Sequence, residues 1–242
     1  MINEYLKNFD THTEYLEYLN GGEMITPNVS HCDDLNDVHY NNPIKAVLHL
    51  SVGDDVKIYG IGEITREETY DYLPNLRSVE IGDSCTKIGV NAFSGCSSLL
   101  SASIGNGVTM ISAGAFDSCY NLMDVSFGNQ VSFIGLYAFR DCSCQYINLP
   151  DSVTEISEGA FSTIPHLQEV YLGSSLSSLK EAVFNGCLSL STIKCRANTA
   201  PSITNDTFVN ISQNGTLYVP VESTGYDTWI NVLGSGWTKV EE

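Results

Sequence analysis

Basic residues are scarce in this chain: 11 Lys and Arg face 29 Asp and Glu over 242 residues, a formal net charge of −18 at pH 7. The imbalance is steepest at the front, where residues 1–72 hold 14 acidic and 4 basic residues, net −10, leaving −8 for the remainder. Nucleic-acid binding needs clustered cations to neutralise phosphates, so no nucleic-acid partner is expected. An anionic membrane surface is disfavoured on the same ground. Long apolar runs are missing too. Nothing approaches the roughly 20 residues that cross a bilayer, and no membrane insertion is expected. Met1 to Lys7 shows no basic segment leading into an apolar run, so no secretory signal is read in this chain.

Histidine and metal-spaced cysteine are equally thin. Of the five His, only His166 falls in the regular part of the chain, beside Pro165 in a turn, and it reads as a surface residue. A nucleophilic triad needs His, carboxylate and nucleophile brought together, and no such constellation is visible. No C-x2-C pair occurs, so zinc is not expected. The cluster His31-Cys32-Asp33-Asp34, with Asp37 and His39 nearby, has neither zincin nor EF-hand spacing and reads as a solvated acidic loop. The expectation is no catalytic residue, no cofactor and no metal.

What is present is a repeat. Ala-Phe recurs at Ala92-Phe93, Ala115-Phe116, Ala138-Phe139 and Ala160-Phe161, with Val183-Phe184 as a fifth mark, and the Phe positions step by 23, 23, 22 and 23 residues. Self-similarity at this period means a solenoid, in which each unit buries its apolar face only by stacking on its neighbours. Three residues after each Phe stands Cys96, Cys119, Cys142, Ile164 or Cys187. Further on come Leu99, Leu122, Leu167 and Leu190, then the alternating pairs Ala102/Ile104, Val125/Phe127, Val170/Leu172 and Ile193/Cys195. A second apolar pair follows at Val108/Ile111, Val131/Ile134, Val153/Ile156 and Leu176/Leu179. The third unit is one residue short after Cys142, so Cys144 takes the Leu slot and Ile147 and Leu149 arrive a place early.

The period-two alternation predicts one short half-buried strand per unit. A turn such as Gly105-Asn106-Gly107 or Pro150-Asp151-Ser152 follows, and Val-x-x-Ile predicts a second short strand. These Gly-rich turns recur with the repeat and are not phosphate cradles. Ala-Phe-x-x-Cys is too short for an independent helix and reads as a single helical turn. Stacked units at about 4.8 Å per strand give a continuous core. Most of the eight cysteines occupy these aliphatic slots. They are expected to behave as small buried hydrophobes and free thiols, since equivalent slots in stacked units point their Cβ vectors parallel.

The units VTMISAGAFDSCYNLMDVSFGN and VTEISEGAFSTIPHLQEVYLGS resemble the 23-residue repeats of the BspA-like leucine-rich-repeat family, over roughly residues 70–242. Thr216 to Trp237 is similar to the closing segment of such proteins, a last strand ending in Pro220 and a short helix carrying Tyr226 and Trp229. Repeats and resemblance together give a mainly β fold with short helical turns: a leucine-rich-repeat solenoid with two short strands per 23-residue repeat and N- and C-terminal caps. Residues 1–43 are expected to hold a helix over Thr13–Asn20, terminated by Gly21, and the acidic loop. Residues 44–72 would form the N-terminal cap, with strands at Ile44–Leu50 and Val56–Ile64. Residues 73–215 would form the solenoid, with Tyr70, Leu73, Leu76, Val79, Ile81 and Ile88 as a degenerate first repeat. Residues 216–242 would form the C-terminal cap. The stretch THTEYLEYLNGGEMITPNVSHCDDLNDVHYNNP is also similar to segments of leucine-rich-repeat and fibre-like proteins of gut Bacteroidetes and their phages.

The outward positions of the first strand ladder run Ser78/Glu80, Ser101/Ser103, Asp124/Ser126, Tyr146/Asn148, Glu169/Tyr171 and Thr192/Lys194. Such ladders form the broad concave surface that repeat proteins use for recognition. The candidate ligand-binding residues are therefore Asp124, Tyr146, Asn148, Glu169, Tyr171 and Lys194, with the two tyrosines as anchors. Ordinary sheet-face residues of high strand propensity remain an alternative reading of the same positions. The resemblance implies a non-enzymatic recognition or adhesion module, at the cell surface or outside the cell, binding a host or microbial surface protein or glycan. The alternative is a structural subunit of a gut phage virion or tail-fibre assembly, partnered by other virion subunits.

Overall fold

The computed structural model describes residues 47–52, 55–60, 62–66 and 76–242. The expected helix at Thr13–Asn20, the acidic loop around His31, and Tyr70 and Leu73 lie outside them. Strand β1 (Val47–Val52) pairs antiparallel with β2 (Asp55–Gly60), and β3 (Gly62–Ile64) follows. Then each unit contributes two strands: β4 (Ser78–Ile81) and β5 (Cys85–Ile88), β6 (Ser101–Ile104) and β7 (Met110–Ile111), β8 (Asp124–Ser126) and β9 (Phe133–Ile134). The series continues with β10 (Tyr146–Asn148) and β11 (Glu155–Ile156), β12 (Glu169–Leu172) and β13 (Ser178–Leu179), and β14 (Thr192–Cys195). Strand β15 (Gly215–Val219), helix α1 (Asp227–Leu233) and β16 (Trp237–Glu241) close the chain.

Apart from the opening β1–β2 pair, the strands stack in parallel. The alternating L-x-x-V-x-I segments form two five-stranded sheets, β1-β2-β4-β6-β8 and β10-β12-β14-β15-β16, and the Val-x-x-Ile segments form a six-stranded one, β13-β11-β9-β7-β5-β3. The stretch expected as one N-terminal strand, Val56–Ile64, divides between β2 and β3, which belong to different sheets. Inward alternation buries Val79, Ile81, Ala102, Ile104, Ile147, Leu149, Val170 and Leu172 together in one core.

The Ala-Phe stretch turns, as expected, but without regular helix. Phe93 N donates to Ala115 O at 2.7 Å, Phe116 N to Ala138 O at 2.7 Å and Phe139 N to Ala160 O at 2.8 Å, so alternate amides bond the next unit. Intervening amides close three-residue turns, as Cys96 N does on Phe93 O at 3.2 Å. Left-handed residues recur two before each Phe, as Asn91 (φ 55°) and Tyr137 (φ 53°), and two after, as Ser118 and Asp141 (both φ 60°). A left-handed non-glycine costs about 1–2 kcal/mol, and a helix would have bonded all these amides within one unit.

The repeated Phe rings form a spine. Phe93, Phe116, Phe139, Phe161, Phe184 and Phe208 stack with centroids 5.0, 5.1, 5.3, 5.8 and 5.8 Å apart and planes within 11°. Phe208 is a sixth mark that the sequence reading passes over, because Thr207 fills its Ala slot and the step from Phe184 is 24. That buried threonine is satisfied by donating to Lys180 O at 3.1 Å. The spine ends on Trp229, 5.3 Å from Phe208. Tyr226 Oη donates to Ala197 O at 2.7 Å, Trp229 Nε1 to Pro201 O at 2.9 Å and Trp237 Nε1 to Ser212 O at 3.0 Å, so each cap aromatic buries its ring and satisfies its polar tip.

Seven cysteines lie among the described residues, all of them buried and none in a disulfide. Their slot has a chemistry beyond size. Cys119 Sγ donates to Phe93 O at 3.2 Å, Cys142 Sγ to Phe116 O at 3.4 Å and Cys187 Sγ to Phe161 O at 3.1 Å, each reaching the Phe carbonyl of the preceding unit. Burial pushes the thiols of Cys144 and Cys187 up to about 12 and raises those of Cys142 and Cys195.

Candidate recognition face

The ladder fixes two outward columns. From the break onward, one runs Tyr146, Glu169, Thr192, Thr216 and Thr238, and the other Asn148, Tyr171, Lys194, Tyr218 and Val240. Before the break, Ser78, Ser101 and Asp124 align with Glu80, Ser103 and Ser126 alongside. All six candidate residues are outward on this ladder, but the structure divides them into two groups.

Glu169, Tyr171 and Lys194 come together on β12 and β14, and Tyr218 of β15 joins them. Lys194 Nζ lies 5.2 Å from the Tyr171 ring centroid, 4.9 Å from that of Tyr218 and 3.9 Å from Glu169 Oε1. One ammonium is thus held between two aromatic faces beside a carboxylate. Loss of solvent works against its charge, but Tyr171, Glu242 and Glu169 outweigh it and raise the Lys194 pKa above the ordinary lysine value. Tyr171 is half-buried under the ammonium, so Tyr146, 56% exposed, is the free anchor of the pair expected from sequence. Sequence reasoning missed Tyr218 because its strand was read only as a cap. The period-two pattern of Leu217 and Val219 was the available signal, and β15 and β16 continue the ladder by two strands.

Asp124, Tyr146 and Asn148 form the second group, at a break between β8 and β10. The other neighbours in the ladder from β2 to β16 pair, but no backbone hydrogen bond joins Asp124–Ser126 to Tyr146–Asn148. Column residues direct their amides at the preceding strand, as Asp124 N does to Leu100 O at 3.2 Å and Glu169 N to Gln145 O at 3.4 Å. The amides of Tyr146 and Asn148 therefore face the carbonyls of Met123 and Val125 without bonding them. The cause is the short third unit. Met123 N reaches Leu100 O at 3.0 Å and Gln168 N reaches Gln145 O at 2.9 Å, but Gln145 makes no such bond to Met123, and Ser143 N instead takes Leu122 O at 2.9 Å. Val125 is only partly buried, whereas its column mates Ala102 and Ile147 are 3% and 0% exposed, and Phe127 is partly buried where Ile104 and Leu149 are 4% and 0% exposed.

Among the described residues no other cluster competes. His166 is exposed, and among the described residues no group of three His, Cys, Asp or Glu is placed to hold a metal ion. Arg140 forms a bidentate pair with Asp117, at 2.8 and 3.0 Å, on the Phe-turn side, and the Arg140 guanidinium lies 4.5 Å over Tyr137.

A parallel solenoid of this kind, with a stacked Phe spine and an outward ladder, is a leucine-rich-repeat protein. The family described as the BspA type leucine rich repeat region matches residues 63–144 and 132–228 in six copies, and the chain belongs to it. A leucine-rich-repeat protein from Bacteroides ovatus is similar with a TM-score of 0.52 and 21% identity, covering 72% of this chain and 54% of that one. The T. pallidum leucine-rich-repeat protein is similar with a TM-score of 0.54 and 22% identity, covering 79% of this chain and 95% of that one. At these identities the likeness shows the fold. A lysine–tRNA ligase of Fervidobacterium nodosum is 36% identical over 89 residues, 34% of this chain and only 17% of that protein. Leucine-rich-repeat proteins are generally non-enzymatic and usually bind proteins. No helix among the described residues is long and apolar enough to cross a membrane.

Proposed function

We propose that this chain is a non-enzymatic recognition module that binds a protein or glycan of a host or microbial surface through its outward strand ladder. The observation that carries the reading is the Tyr171–Lys194–Tyr218 stack beside Glu169. These side chains are held by paired strands and by each other, so little conformational freedom is lost on binding. Tyrosine is also among the residue types that dominate binding energy at protein surfaces.

Binding of the labelled chain to panels of bacterial cells, host matrix proteins and glycans tests the reading. Saturable binding to one class is expected, weakened at least about tenfold in Tyr171→Ala and in Lys194→Ala. Binding that is unchanged in both variants rejects this face.

A further inference from the structure

We propose that the break between β8 and β10 is a saccharide-binding subsite. This rests on the ladder being the recognition surface and adds where on it one ligand sits and of what chemistry. Asp124 and Ser126 project from one lip of the break, Tyr146 and Asn148 from the other, and all four are exposed. Between them lie the Tyr146 and Asn148 amides and the Met123 and Val125 carbonyls, with no bond across. The partial exposure of Val125 and Phe127 shows that solvent reaches this depth.

The dimensions and chemistry select the occupant. An inserted peptide strand needs about 9.6 Å between its neighbours, two strand spacings, whereas Cα atoms of β8 and β10 approach within 8 Å. An apolar ligand would strip water from amides and carbonyls without replacing it. An anion would meet the Asp124 carboxylate, and a cation, which that carboxylate and the carbonyls could ligate, would leave the facing Tyr146 and Asn148 amides without an acceptor. A sugar hydroxyl donates and accepts at once, which suits facing amides and carbonyls. A carboxylate and an amide on opposite lips can take neighbouring hydroxyls, and the apolar C–H face of a pyranose can lie on the exposed Tyr146 ring.

Saturation-transfer NMR of the full chain with free glucose, galactose, mannose, N-acetylglucosamine and their β-linked disaccharides reads the site directly. Transfer to at least one sugar is expected, lost in Tyr146→Ala and in Asp124→Ala and retained in Leu188→Ser, an exposed position off the ladder. A single Ser inserted after Cys142 restores the full repeat length and should close the ladder and abolish transfer, with circular dichroism reporting that the fold persists. Transfer that survives both Tyr146→Ala and Asp124→Ala overturns the proposal, as does no transfer from any sugar to the unaltered chain. In the latter case, binding of a protein partner that is lost in Tyr171→Ala leaves the recognition reading standing, and the absence of any ladder-dependent binding removes both.

Discussion

The Phe spine makes a quantitative demand on stability. Phe139 is fully buried, stacked on Phe116 at 5.1 Å and Phe161 at 5.3 Å, and met edge-on by Phe127 at 5.5 Å. Truncating a buried Phe to Ala costs about 3–5 kcal/mol in transfer and cavity terms. Aromatic pairs add about 0.5–1.5 kcal/mol each beyond area. With three such pairs, Phe139→Ala should fall at the upper end, about 5 kcal/mol, comparable to the whole stability of a marginal domain. Phe208, with two ring partners at the end of the spine, should cost less, about 3 kcal/mol. Urea unfolding followed by circular dichroism and by tryptophan fluorescence checks both. Since both Trp residues, Trp229 and Trp237, sit in the closing segment, fluorescence reports that end while dichroism reports the whole ladder. In a solenoid, stability is a sum over units and their interfaces, so Phe139→Ala should also pull the dichroism transition ahead of the fluorescence one. A Phe139→Ala cost below about 1 kcal/mol would show that the spine is not what couples the units.

Three further expectations follow from the interior and the face. The seven described thiols should react with a thiol reagent only at the rate of unfolding, and several fast-reacting thiols in the native chain would contradict their burial. Because Cys144 and Cys187 are pushed up to about 12, the unfolded chain releases these protons first as pH rises. Their stabilisation is complete below about pH 9 and is lost as pH rises through about 12, roughly 2 kcal/mol per thiol by about pH 10.5; alkaline urea midpoints that stay flat would refute it. On the face, Tyr218→Ala should weaken partner binding as much as Tyr171→Ala while leaving the thermal midpoint within a few degrees, and a Tyr218→Ala variant that binds normally would separate Tyr218 from the patch.

Much of the fold was legible because a solenoid repeats its constraints. Each unit states the same pattern, so the positions of Phe93, Val108 and Ile111 are confirmed by Phe116, Val131 and Ile134, and a chance match at one unit fails at the next. Legibility fell where a unit was spelled once. Thr207-Phe208 hid the sixth unit because a buried threonine looks polar until its acceptor, the Lys180 carbonyl, is in view. The left-handed residues of the Phe turns could not be read from Tyr137, Thr163 or Ala182, whose side chains carry no preference for that conformation. The cysteine slot was read correctly as hydrophobic, but its bond to the preceding Phe carbonyl depends on how units stack, which one unit does not encode.

The recognition face shows the same division between pattern and placement. Alternation named Asp124, Tyr146, Asn148, Glu169, Tyr171 and Lys194 as outward, because period two leaves no other choice once Ile147, Val170 and Ile193 are core. It could not say which of them meet. That depends on one omitted residue in the third unit: the second sheet runs unbroken from β3 to β13 past that unit, and the Phe spine is equally continuous. The shortage is therefore taken up entirely in the connection from Phe139 to Tyr146, and it surfaces only on the outward ladder. A deletion on the spine side would have cost buried aromatic contact. Placed where it is, it costs a few exposed hydrogen bonds, worth about 1 kcal/mol each at most once water replaces them, and it leaves on the candidate face a backbone slot that no regular repeat could supply.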